Sequence, residues 1–327
     1  MKGKIFGISL MSLFACNACF ADVLDLTTAL QNTYRACVDI DENLHELKVL
    51  AGVNTGVTAV GTGLGIGATA TGLAKASVDA EIEKLIDEMY ETMAAARNGE
   101  TSHPMVSKEN VLDWLKAFDE KNHFDVAKYM NQDLKTKITT TRSDVEKLEE
   151  KSKNLGNWRT GLLAGNTVTN VAGAIIASKT INKDDINSQI EACISATKDL
   201  NNAINAARMN GEDITEAKQI YDACRDYAYV DMSPIDKRGK GSMISSSVGA
   251  GLGGIGTITS GVANSDKIRS NDSAEGKEKE KKLNTASNLL SAGATVASAT
   301  ATVFNATQIS AIKKVAEVSQ KCTEVLK

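Results

Sequence analysis

The sequence predicts an all-α protein, an elongated antiparallel helical bundle built from two tandem helical hairpins rich in Gly, Ala, Ser and Thr. Three observations predict this fold. Only two prolines occur in 327 residues, which favours long uninterrupted helices. Hydrophobic residues reach 42% but aromatic residues only 4%, so the core must consist mainly of Ala, Val, Ile and Leu. The third observation is that parts of the chain recur in tandem.

Two segments of the chain have near copies further along. The stretch VGTGLGIGATATGLA at 60–74 returns as VGAGLGGIGTITSGVA at 248–263, with one inserted glycine. The stretch LLAGNTVTNVAGAII at 162–176 resembles LLSAGATVASATATVF at 289–304. We interpret the two pairs as a tandem duplication.

The cysteines are in step with these copies. Cys37 precedes the first glycine-rich stretch by almost the same offset at which Cys224 precedes its copy. Cys193 and Cys322 likewise follow the second pair of segments at almost equal offsets. In helices that rise about 1.5 Å per residue, these offsets place both cysteines of a hairpin at the same end. We therefore expect the disulfides Cys37–Cys193 and Cys224–Cys322, each closing one hairpin.

The two hairpins differ by a helical insertion. The first hairpin, 22–216, has about 60 more residues between its recurring segments than the second hairpin, 217–327. The extra block, at about 78–142, contains apolar residues at helical spacing and an Asn-Gly helix end. A second Asn-Gly pair, at 210–211, predicts a helix end before the second hairpin. Within it, Trp114 and Phe118 are expected to form a small core, and an exposed contact patch is the alternative.

The amino terminus predicts export. Residues 1–21 contain Lys2 and Lys4, a short uncharged core and small residues before the cleavage site, as in a signal peptide cut after Ala21. A competing cut before Cys16 would create a lipid-modified cysteine. Cleavage after Ala21 leaves four cysteines, an even number that suits an oxidising compartment. We expect a periplasmic or secreted protein, with membrane association in the cell envelope as the alternative.

The glycine-rich stretches and the second pair of recurring segments lie in four uncharged segments, 49–74, 160–178, 241–265 and 283–312. We interpret these segments as helices whose glycines let a neighbouring helix approach; near 61–67 the alternative to a continuous helix is a kink or break. The glycines expected to pack in this way are Gly61, Gly63, Gly65, Gly67, Gly165, Gly249, Gly251, Gly253 and Gly293.

Two other interpretations of these stretches are weaker. The alternation of glycine with larger residues around Leu64 is typical of a strand, but the glycine inserted in the second copy would move every later side chain to the other face. The letters GAGLGG at 249–254 match a dinucleotide-binding loop, but the alternating strand and helix that such a site requires are not predicted.

The uncharged segments are also long enough to cross a membrane. The stretch from Val49 to Ala74 could span a bilayer, and GxxxG spacings recur in three of the four segments. Locally they resemble the glycine-zipper hairpins of some bacterial outer-membrane lipoproteins and membrane-active proteins, a resemblance that implies close helix packing and insertion. Their Thr, Ser and Asn content and the charged tip at 275–282 oppose insertion. We expect packing in water, with membrane insertion as the alternative.

Composition and motifs indicate a protein that is not an enzyme. No nucleophile elbow, Walker loop or calcium loop occurs in the sequence, and the three histidines, His45, His103 and His123, lack metal-binding spacing, so no cofactor or metal is expected. Loss of Lys2 and Lys4 with the signal takes the formal net charge from −4 to −6, which opposes nucleic-acid binding. We expect an exported structural or partner-binding protein, acting on a protein partner or by self-association; the alternative is a membrane-active, pore-forming-like protein.

Overall fold

The computed structural model describes residues 25–96, 111–117, 132–181, 184–269 and 274–327. Within these ranges the protein consists of helices joined by short turns, and no strand is present. The predicted all-α class, with long helices packed as hairpins, is therefore confirmed. The strand interpretation of the glycine-rich stretches is wrong.

Several of the helices are long. The helices of the described residues are α1 (Leu26–Cys37), α2 (Ile40–Ala96), α3 (Val111–Ala117), α4 (Gln132–Ile181), α5 (Asp184–Met209), α6 (Thr215–Cys224), a 3₁₀ helix (Arg225–Tyr229), α7 (Ser233–Ala263), α8 (Asp266–Arg269) and α9 (Ala274–Leu326).

Local sequence signals account for several helix ends. At the start of α1, the backbone N–H of Thr27 donates to the Asp25 carboxylate at 2.9 Å, and this hydrogen bond lowers the pKa of Asp25. After the end of α5, Gly211 adopts a φ of 76°, the left-handed conformation that glycine provides at helix C-termini. The Asn-Gly pair before the second hairpin predicted this end.

Helix α2 is continuous through the glycine-rich stretch, so the alternative of a break near 61–67 is wrong. Threonine side chains within the stretch bond back to their own helix, as Thr62 does to the Thr58 carbonyl at 2.9 Å and Thr69 to the Gly65 carbonyl at 3.0 Å. The low helix propensity of glycine is outweighed here by packing against neighbouring helices.

The chain divides into two compact units that cut across the predicted duplication. Among the described residues, the cystine unit comprises the chain up to Asn54, Ile176–Gly241 and Phe304–Lys327. The glycine unit comprises Thr55–Ile175 and Ser242–Val303. Both hairpins therefore contribute chain to each unit.

The cystine unit has a core of large apolar side chains. Leu44, Leu47, Ile186 and Leu200 are almost completely buried in one cluster together with all four described cysteines. Tyr227 is buried in the same cluster, and desolvation raises its pKa to about 12. This is the ordinary core of a water-soluble helical domain.

The core of the glycine unit, where α2, α4, α7 and α9 pack together, consists largely of small and polar residues, with Leu163 and Arg159 also buried. Its contacts show that α2 and α4 are antiparallel, because Gly61 faces Thr169 while Gly72 faces Arg159. The insertion adds a separate apolar cluster in which α3 packs on α2 and α4 through Met89, Leu115 and Ile138. Trp114 packs against this cluster, and Phe118 lies outside the described residues.

Candidate membrane-facing surface

The four predicted cysteines form two buried disulfides. The structure joins Cys37 to Cys193, with their Cα atoms 5.0 Å apart, and Cys224 to Cys322, with their Cα atoms 4.5 Å apart. This is the pairing that their matched spacing predicts. Cys16 and Cys19 lie outside the described residues.

Several of the predicted glycines lie against another helix of the glycine unit. A Cβ at Gly61 would come within 2.6 Å of Thr169 Oγ1, and one at Gly253 within 2.8 Å of Thr167 Oγ1. These distances are too short for any side chain, so glycine at these positions allows the helices their close approach. Similar close contacts occur at Gly65, which faces Thr295 and Asn166, and at Gly249, which faces Asn170.

The other predicted glycines are less tightly packed. A Cβ at Gly165 would lie 3.1 Å from a methyl of Leu64, one at Gly293 3.0 Å from a methyl of Leu252, and one at Gly67 3.4 Å from Leu162. Gly63 and Gly251 do not meet the expectation of close packing. Within the described part of the chain, no atom beyond the local helix lies within 4 Å of a Cβ built at either position. Both occupy the outward side of their helix.

Gly72 makes a close contact that the sequence interpretation did not include. A Cβ there would come closest to the side chain of Asn288 on α9 and would lie 3.0 Å from Nε of Arg159, which is fully buried. The absence of a side chain at position 72 therefore makes room for both side chains against α2. A sequence signal existed, since Gly72 occupies the same place in its repeat as Gly261.

Neutral polar side chains link the helices in the interior of the glycine unit. Ser298 on α9 donates to Asn166 Oδ1 at 3.1 Å or to Asn170 Oδ1 at 3.0 Å, and Asn170 Nδ2 lies 2.8 Å from the Ser298 hydroxyl. All three residues are fully buried. The cluster links α4 to α9 in the middle of their uncharged segments.

Hydroxyl pairs make similar links between other helices. Thr69 on α2 and Ser291 on α9 are 2.9 Å apart, and Thr160 on α4 and Ser260 on α7 are 2.8 Å apart. Further buried polar residues of the glycine unit are Thr58, Ser246 and Ser287.

The exterior of the glycine unit carries the large apolar side chains. Leu289 is 71% exposed, Ile258 69% and Val168 67%. We call the outward-facing apolar residues of the uncharged segments in this unit the apolar belt; they are Val60, Ile66, Leu73, Val168, Val171, Ile175, Ile244, Val248, Ile255, Ile258, Val262, Leu289, Val296 and Val303.

Three helical stretches of the described chain are long and apolar enough to cross a membrane. They lie within Leu26–Ala95, Gln132–Met209 and Glu275–Leu326. In each stretch, the most apolar window of 18 residues is only 28% buried. Most of the residues in the most apolar part of each stretch are therefore not buried within the protein.

Charged residues form a compact cluster next to the uncharged segments. Lys75 is 1% exposed and pairs with Asp79 at 2.7 Å and Glu280 at 3.1 Å. Ser152 donates to the second oxygen of Asp79 at 2.6 Å, so the cluster joins α2, α4 and α9. These charges lie at the ends of the uncharged segments.

The described residues offer little for catalysis or metal binding. His45 borders an open cleft with Asp41 and Lys48, while His103 and His123 lie outside the described residues. In the described chain, the group of potential metal ligands is Cys37, Cys193 and Cys322, and these sulfurs are in disulfides.

Searches of protein-family models, curated proteins and solved structures give no match to this chain.

Proposed function

We propose that the glycine unit is embedded in a lipid bilayer and that the protein is an exported, non-enzymatic anchor or scaffold of the cell envelope. The observation that carries this proposal is the inverted distribution of side chains in the glycine unit. Its interior is small and polar, as at Asn170 and Ser298, whereas Val, Ile and Leu of the apolar belt face outward.

Helix packing in lipid explains this distribution. In water, burial of large apolar side chains drives folding, and a broad exposed apolar surface favours aggregation. In a bilayer, the lipid tails already solvate outward-facing Val, Ile and Leu. Helices then associate through close contacts between small residues and through hydrogen bonds between polar side chains, which the glycine unit supplies.

The lengths of the uncharged segments suit a bilayer. The shortest segment is 160–178 and the longest is 283–312. At about 1.5 Å per residue, even the shortest covers roughly 28 Å, close to the thickness of about 30 Å of the hydrocarbon core. Trp158, which is 70% exposed, lies two residues before the charge-free segment of α4 and is separated from it by the buried Arg159, so it is near the end of that segment, where interfacial tryptophan is typical.

The charged tips of the hairpins do not oppose membrane insertion when the helices insert during export. With the amino terminus exported, α2 enters the membrane and α4 returns through it, so the insertion at 78–142 does not cross the bilayer. The same holds for the tip at 275–282 between α7 and α9. Helix α7 is not among the three most apolar stretches, but its uncharged segment, 241–265, is long enough to cross with α9. This arrangement leaves Cys37, which precedes the α2 segment, on the oxidising side, where disulfides form.

The tightly filled interior favours an anchor over a pore. Thr167 and Thr169 occupy the space beside Gly253 and Gly61, and the polar side chains bond to one another. A pore would require these helices to separate. We therefore expect dye-loaded vesicles that contain the purified protein to retain their dye, and rapid leakage would favour the pore-forming alternative.

Lysine substitutions in the apolar belt test the proposal. Val168 and Val296 are 67% and 65% exposed and lie near the middle of their uncharged segments. In a bilayer, Val168→Lys or Val296→Lys should each cost about 2.5–3.5 kcal/mol of insertion free energy. The measurement is the amount of protein retained in membranes after an alkaline wash.

The matched control is Met209→Lys, because Met209 is 73% exposed in the cystine unit. We expect wild type and the control to remain in the membrane fraction, and the double variant Val168→Lys/Val296→Lys to be lost from it. A wild-type protein that stays in solution without detergent would contradict the proposal. So would belt variants that behave like the control.

A further inference from the structure

The two disulfides of the cystine unit lie side by side. The sulfur atoms of Cys37, Cys193 and Cys322 are all within 4.8 Å of one another, a group that does not include Cys224. One sulfur of the Cys224–Cys322 disulfide is therefore next to both sulfurs of the other disulfide. All four cysteines are fully buried in the same apolar cluster.

These neighbouring sulfurs belong to different hairpins. Cys37 and Cys193 lie in the first hairpin, 22–216, and Cys322 lies in the second, 217–327. Each observed disulfide stays within one hairpin. A bond from Cys322 to either neighbour would instead join the two hairpins covalently.

We propose that the four cysteines form one exchangeable redox group, in which Cys322 can transfer a disulfide bond from within the first hairpin to a link between the hairpins. In this step, the thiolate of Cys322 attacks the sulfur of Cys37 or Cys193. A new sulfur–sulfur bond forms to Cys322, the Cys37–Cys193 bond breaks, and the other cysteine leaves as a thiolate. The step causes no net oxidation or reduction.

A reductant starts the exchange by freeing Cys322. Because the Cys224–Cys322 bond is buried, a dithiol, either a small molecule or a thiol oxidoreductase, reaches it when the cystine unit opens locally; the dithiol then attacks this bond and forms a mixed disulfide with the protein. Its second thiol then closes an intramolecular disulfide, so the dithiol is oxidised and Cys224 and Cys322 are reduced. The Cys322 thiolate is then next to the remaining disulfide.

Two single substitutions test whether Cys322 carries out the exchange, rather than any unpaired cysteine near the remaining disulfide. Cys224→Ser leaves Cys322 unpaired beside Cys37–Cys193, whereas Cys322→Ser leaves Cys224 as the unpaired cysteine. Each variant has three cysteines and lacks one disulfide, so the pair is matched. A protease site placed in the exposed turn at 210–213 then separates the hairpins. After acid quenching and alkylation, a non-reducing gel shows whether a disulfide still holds the two fragments together.

We expect Cys224→Ser to give joined fragments on the order of tenfold more often than Cys322→Ser, with peptide mapping showing Cys37–Cys322 or Cys193–Cys322 bonds. Separated fragments from both variants would overturn the proposal. If Cys224→Ser does not fold, wild type treated with less than one equivalent of dithiothreitol takes its place. Reduced Cys224 without any bond between the hairpins would then overturn the proposal in the same way.

Discussion

Gly61 on α2 and Thr169 on α4 are so close that a Cβ at position 61 would lie 2.6 Å from the threonine hydroxyl oxygen. Two residues further along α2, a Cβ at Gly63 would meet no atom of another helix among the described residues within 4 Å. These two glycines lie in the same glycine-rich stretch, but Gly61 contacts another helix and Gly63 faces outward. The difference arises because two residues rotate the helix surface by about 200°.

This contrast predicts opposite effects of alanine at the two positions. Gly61→Ala should destabilise the glycine unit by about 1–2 kcal/mol, because the clash with Thr169 outweighs the gain in helix propensity. Gly63→Ala should stabilise it by about 0.5–1 kcal/mol, because only the propensity changes. Thermal unfolding of the two variants in the same detergent or lipid is the measurement. Equal effects of the two substitutions would contradict the packing.

Loss of the polar cluster between α4 and α9 should weaken the glycine unit. Ser298→Ala removes the hydroxyl that bonds to Asn166 and Asn170 and should cost about 1–2 kcal/mol. The matched control is Ser247→Ala, because Ser247 is exposed and its hydroxyl bonds to the Met243 carbonyl of its own helix. Denaturation of both variants gives the comparison, and a Ser298→Ala protein as stable as the control would exclude a structural role for the cluster.

The buried ion pair should show measurable coupling. Lys75 is 1% exposed where it meets Glu280, so water screens this pair poorly. A double-mutant cycle with Lys75→Met and Glu280→Gln should give a coupling free energy of about 1–3 kcal/mol. The exposed pair Lys84–Glu88, at 3.6 Å, should give only about 0.3 kcal/mol in the equivalent cycle. Similar coupling in both pairs would show that Lys75 is accessible to water.

Reduction of the disulfides should affect the two compact units unequally. The loops closed by Cys37–Cys193 and Cys224–Cys322 span 156 and 98 residues, and the chain-entropy model assigns roughly 4–5 kcal/mol to each. Because both disulfides lie in the core of the cystine unit, reduction should raise amide hydrogen exchange there first. Exchange in α2 after residue 55 should change much less. A uniform increase along the chain would contradict this prediction.

The regular features of the fold were predictable because they repeat along the chain. The scarcity of proline and the presence of four uncharged segments predicted long helices. Matched spacing around Cys37 and Cys224 indicated the disulfide pairing without any knowledge of packing. The Asn-Gly pair ending at Gly211 marked a helix end because glycine readily adopts a positive φ. In contrast, the break considered near 61–67 does not occur, because helix propensity is local and packing against neighbouring helices outweighs it.

The predicted packing role of glycine was only partly informative. Gly61 and Gly253 contact other helices closely, Gly63 and Gly251 face outward, and Gly72 accommodates Arg159 without having been singled out. A glycine-rich pattern indicates that some surface of a helix has no side chains, so that another helix can approach it closely. It does not define the direction in which that surface points, because the rotation of a helix about its axis depends on all of its neighbours.

The sequence by itself determined the helical class, the pairing of Cys37 with Cys193 and the four uncharged segments, because each follows from local composition or from spacing along the chain. Only the tertiary structure decided that Ser298 faces inward while Val296 faces outward, and that Cys322 lies beside the other disulfide. Both relationships depend on how several helices pack together. The free energy of that packing is shared among segments far apart in the chain and cannot be assigned to any one of them.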